Sequence, residues 1–113
     1  MTIRISKERI LFKLSAPDCK KLQSEPVLRV TTPLPPPYDL TYAIELRKEE
    51  SIEVFLHDQE IKIFFPQQDF RTWLTDPDER GFEIEGEFAG RNLRIAVERM
   101  PSTDMSPRIF SED

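Results

Sequence analysis

The side chains able to do chemistry are few: one histidine, one cysteine and 21 carboxylates in a chain of 113 residues. Glu45 and Glu98 each close an apolar alternating stretch, Ala43-Ile44-Glu45 and Ala96-Val97-Glu98. If a twofold axis relates those stretches, the two carboxylates meet near it, where a close acid pair moves protons or holds a metal. Pairing with an Arg or Lys on a neighbouring strand is the plainer reading of each. Glu83, Glu85 and Glu87 alternate with Phe82, Ile84 and Gly86, which puts three carboxylates on one face of a strand. Such a face keeps an edge strand soluble, or it receives a basic partner. The basic counterpart lies near the N-terminus, at Arg4 and Lys13.

Two further groups read as structural. His57 lies beside Asp58, a pair that can orient a general base, but in a turn with no recognisable nucleophile nearby. Cys19 falls in the first turn of a predicted helix, where a thiol pKa is lowered, yet on its apolar face, where Cys packs as a small hydrophobe. No phosphate-binding loop, dinucleotide fingerprint, nucleophile elbow or metal-ligand cluster is present. No catalytic residue, metal or cofactor is therefore assigned.

Charge and composition narrow the classes. Sixteen basic against 21 acidic side chains give a net charge of −5, which argues against nucleic-acid binding. The charge is uneven: residues 1–50 hold nine basic and seven acidic groups, and residues 51–113 hold seven and fourteen. A single Cys forms no internal disulfide, and one Cys with one His makes no structural zinc site. No apolar run reaches the ~20 residues of a membrane span, and no hydrophobic signal core opens the chain, so the expected compartment is the cytoplasm.

The elements that must position these groups follow from period-2 patterning. Ile3 and Ile5, then Ile10, Phe12 and Leu14, read as a hairpin around Ser6-Lys7-Glu8-Arg9. Ser15, Pro17 and Asp18 start a short helix, with the acid near its positive end. Strand character returns at Val27 to Val30 and, after a proline-rich stretch, at Leu40 to Leu46. The second half repeats the order: Val54 and Leu56, the turn His57 to Glu60, Ile61 to Phe65, then a helix carrying Phe70, Trp73 and Leu74 on one face. Strands from Phe82 and from Leu93 to Arg99 complete it. Ile3 and Val54, Ile10 and Ile61, and Asp18 and Asp69 are each 51 apart, whereas the closing strands match at 53.

The reading is a β-rich α+β domain over residues 1–100, built of two ββαββ halves, about 1–50 and 51–100, with residues 101–113 as a tail. A half of this size buries too little surface alone, so the halves share a core about a pseudo-twofold axis. Eight strands then form a small barrel or two packed sheets, with two short helices. Leu34-Pro35-Pro36-Pro37-Tyr38 fits a proline-rich ligand motif and equally a stiff crossover between strands.

Several of these strings resemble a family of short, uncharacterised bacterial proteins, a domain of unknown function. They are Ile3-Arg4-Ile5 with Ile10 to Leu14, Leu40 to Glu45, Ile61-x-Ile63-x-x-Pro66 followed by Trp73, and Leu93-x-Ile95-x-Val97-Glu98. The resemblance spans roughly residues 1–100 and departs in the first turn, which reads Lys7-Glu8 in place of Gly-Asn. It implies a bacterial origin and no chemistry. The function expected from the residues is binding: an interaction module for a protein partner or a second copy of itself. Its candidate surface is Glu83, Glu85 and Glu87 or the basic Arg4 and Lys13. The alternative is a small-molecule or metal-binding protein, or an enzyme, with its site on the pseudo-twofold axis at Glu45 and Glu98.

Overall fold

The strand patterning and the Ser15 cap translate directly into elements in the computed structural model, which describes residues 1–35, 38–88 and 90–100. In chain order they are β1 (Thr2–Ser6), β2 (Arg9–Leu14), α1 (Ala16–Ser24), β3 (Val27–Pro33) and β4 (Asp39–Arg47). The second half follows as β5 (Glu53–His57), β6 (Glu60–Pro66), α2 (Gln67–Leu74), β7 (Gly81–Phe88) and β8 (Arg91–Arg99). The proline-rich stretch is the β3–β4 connection, tied by the Leu34 N–H donating to the Tyr38 carbonyl. Pro36 and Pro37, and the tail 101–113, lie outside the described residues.

The strands form two packed four-stranded sheets and no closed barrel. One has the order β1-β2-β8-β7 and the other β3-β4-β6-β5. Each sheet takes one hairpin from each half, joined at its centre by a parallel pair, β2 with β8 and β4 with β6. Each helix therefore carries the chain from one sheet to the other, α1 from β2 to β3 and α2 from β6 to β7. Neither half can complete a sheet without the other, which explains why a ~50-residue unit needs its partner.

The two sheets repeat each other in register. Thr2 opposite Lys13 becomes Glu53 opposite Phe64, each number raised by 51. Phe12 opposite Val97 becomes Ile63 opposite Ile44, the first raised by 51 and the second lowered by 53. Leu28 opposite Ile44 corresponds to Phe82 opposite Val97, a step of 54 in one strand and 53 in the other. The second half thus gains three residues between helix and strand and loses one in the following hairpin.

Inward-facing residues of both sheets and both helices make a single core, in which Phe12, Leu14, Leu22, Ile44, Ile63, Ile95 and Val97 are completely buried. The halves fill it differently. Phe65, Phe70, Trp73 and Phe82 form a ring cluster with centroids 4.9 to 5.9 Å apart, edge-on in every contact except the tilted Phe65–Phe70 pair. Their counterparts in the first half are the aliphatic Leu14, Leu22 and Leu28, and Cys19.

Two arginines hold the helix ends. Arg71 of α2 donates from Nε to the Leu22 carbonyl (2.9 Å) and from Nη2 to the Glu25 carbonyl (3.3 Å), at the last turn of α1. Arg99 of β8 donates to the Leu74 carbonyl (3.0 Å) and the Asp76 carbonyl (2.5 Å), and also to that of Glu79. Both satisfy carbonyls that a helix end leaves without partners, with charge of the favoured sign.

Candidate functional site

Alternation along β7 sends Phe82 and Ile84 into the core and Glu83, Glu85 and Glu87 outward. The strand is eight residues long and lies at the edge of its sheet, paired only with β8. One side of its backbone is consequently without a strand partner. Glu83 is engaged within the molecule, 3.6 Å from Arg9 and 3.8 Å from Arg94. Glu85 and Glu87 are exposed and make no ion pair among the described residues.

The basic counterpart is placed on the opposite side of the same sheet. Arg4 lies on β1, the other edge, and Lys13 on β2, with Leu11 buried between them on the outer face and outside the core cluster. The sheet therefore grades from a cationic edge at β1 and β2 to an anionic edge at β7. Between them, a shallow cleft of about 630 Å³ is lined by Arg9, Arg80, Glu83, Glu98 and Arg99, over Gly81. Gly81 leaves room there, since a Cβ would stand 2.8 Å from the Val97 carbonyl oxygen and 2.9 Å from Cγ of Glu98.

The structure does not bring Glu45 and Glu98 together. Glu98 is on β8 and Glu45 is on β4, in different sheets, and each alternates with inward neighbours such as Val97 and Ile44. Glu45 pairs with Lys62 at 3.3 Å, and Lys62 and Arg47 flank the Phe64 ring. Among the described residues no three His, Cys, Asp or Glu side chains gather as a metal site, and no helix is long and apolar enough to cross a membrane. His57 and Asp58 lie 3.2 Å apart in an exposed turn.

Cys19 is half-buried. Burial pushes its thiol pKa up, against the opposing pull of the Arg99 charge, so the helix start does not activate it. Asp18, beside it, has a partner that sequence patterning did not suggest. The Ser15 N–H donates to its Oδ2 at 2.9 Å, its own N–H donates to Ser15 Oγ, and the Met1 ammonium lies 2.5 Å from Oδ2. Burial alone raises the Asp18 pKa; the ammonium and the Ser15 donors outweigh it and hold the carboxyl below its usual value.

No curated protein and no solved structure matches the chain. A family model, by contrast, covers the two halves together, over residues 1–101. With that span, the chain belongs to the family of unknown function DUF7009.

Proposed function

We propose that this protein is a non-catalytic interaction module whose docking surface is the β7 edge, and that its partner presents a basic extended strand. The observation that carries the reading is the pair Glu85 and Glu87: exposed, two residues apart and on an edge strand, with neither in an ion pair among the described residues, since Arg94, opposite Glu85 in the register, turns to Glu83. A bare edge invites pairing by any extended chain. Glu85 and Glu87 on its outer face restrict the invitation to a strand with cations at alternate positions, because like charges opposite one another repel. Backbone hydrogen bonds then supply affinity and the alternate side chains supply selectivity.

The test is fluorescence anisotropy with a labelled peptide alternating lysine and valine, matched to the eight residues of β7. The expected result is saturable binding that weakens as salt is raised, because the charges are exposed. Binding should disappear in the double variant Glu85→Lys, Glu87→Lys, which leaves the Glu83 pairs with Arg9 and Arg94 in place. A glutamate–valine peptide should not bind. Equal binding of both peptides, or of the lysine peptide to the double variant, would sink the reading. A dimer in light scattering that dissolves in salt and is lost in the same variant would make a second copy the occupant instead.

A further inference from the structure

The register correspondence sets Asp69 where Asp18 stands, each on the third residue of its helix. Their surroundings differ in every donor. Asp18 receives the Ser15 N–H and the Met1 ammonium. In the second half Pro66 takes the place of Ser15, with neither an N–H nor a hydroxyl, and it provides no side-chain cap. Ile52 takes the place of Met1, but the chain runs on through Ser51, so a peptide nitrogen replaces the ammonium. Asp69 is left exposed and without a hydrogen bond or ion pair among the described residues.

Beside it the second half opens a groove of about 250 Å³, lined by Phe65, Phe70, Trp73 and Phe82, with Ile52 and Ile84 at its sides and Asp69 on its rim. The wall is almost wholly apolar, and its single charge is the carboxylate. A cavity of ~150 Å³ takes benzene, so a groove of this size takes an apolar group of roughly ten heavy atoms. Aromatic rings attract cations, and a carboxylate binds an ammonium through short charge-assisted hydrogen bonds.

We infer that this groove is a binding site for a primary ammonium carried on a short apolar group, with Asp69 receiving the ammonium and the aromatic wall the apolar part. The first half supplies the precedent within the molecule, because the equivalent carboxylate already holds an ammonium. The groove uses the inward side chains Phe82 and Ile84 of β7, whereas the proposed docking edge uses the outward Glu85 and Glu87 and the open backbone, and Asp69 takes part only in the groove, so the two readings are tested by different variants. Two sources share the chemistry, a free alkylamine and the amino terminus of a peptide that begins with a hydrophobic residue.

Trp73 is the only tryptophan and lines the groove, so its fluorescence reports occupancy directly. The full chain is titrated with hexylamine, with the neutral hexanol, and with a leucyl-alanine amide whose amino group is free or acetylated. Hexylamine should change the emission saturably and bind about tenfold more tightly than hexanol. Asp69→Asn should remove that preference, and Asp18→Asn should keep it. Binding by the free peptide but not its acetylated form would identify the peptide terminus as the source; binding by hexylamine alone would identify the free amine. Equal binding of hexylamine and hexanol, an unchanged preference in Asp69→Asn, or no saturable response to any probe would overturn the inference.

Discussion

Replacing Arg99 with Met tests whether the helix ends are held as described. Its guanidinium joins β8 to the last turn of α2, donating to the Leu74, Asp76 and Glu79 carbonyls, and lies 5.1 Å from the centre of the Trp73 ring. The half-buried bonds to Leu74 and Asp76 are charge-assisted, and the exposed bond to Glu79 and the ring contact add smaller shares. Together their loss costs about 3 kcal/mol. In a domain of this size, with about 4 °C of Tm per kcal/mol, the melting temperature should fall by roughly 12 °C. Lys keeps the charge and the stem but reaches fewer carbonyls from a single nitrogen, so Arg99→Lys should recover only part of the loss. Thermal unfolding followed by circular dichroism and calorimetry measures both variants. A Met variant melting within about 3 °C of the parent, or a Lys variant equal to it, would refute the argument, because the bonds would then contribute almost nothing net.

Other perturbations read other parts of the structure. Asp18 has its folded pKa depressed, so its contribution to stability is complete above the unfolded value, near 3.8, and is lost as pH falls through the folded one. Acetylating the Met1 amine should therefore lower stability in urea melts at pH 7, by an amount that shrinks as the pH falls through the folded value. Glu8 has φ of 66° in the β1–β2 turn, a conformation that favours glycine, so Glu8→Gly should raise stability by about 0.5–1 kcal/mol. The Cys19 thiol, pushed up by burial, should alkylate slowly at neutral pH in the native protein and much faster in denaturant.

Much of this molecule was legible in its residues. Alternation located the hairpins, Ser15 with Asp18 marked the start of α1, and the spacing of 51 identified Asp69 as the partner of Asp18. Which hairpin joins which was not legible, because the joints are parallel pairs such as Ile10 with Ile95, far apart in sequence and without a pattern of their own. The alternation of Glu83, Glu85 and Glu87 was visible, but the removal of Glu83 from that set by Arg9 and Arg94 required the sheet order. Glu45 and Glu98 are equivalent in sequence, yet equivalence put them at matching places in two different sheets. Arg71 and Arg99 gave no signal, since an arginine that reaches a distant carbonyl looks like any surface arginine. The ammonium on Asp18 was equally hidden, and with it the contrast that sets Asp69 apart.

The role proposed for the β7 edge is tested most directly by amide hydrogen exchange on the full chain, with and without the lysine–valine peptide. Strand addition at this edge predicts slower exchange for the β7 amides that point away from β8, with the β1, β3 and β5 edges unchanged and the effect absent in the Glu85→Lys, Glu87→Lys variant. Protection at another edge, or binding that leaves the β7 amides as exposed as before, would contradict it.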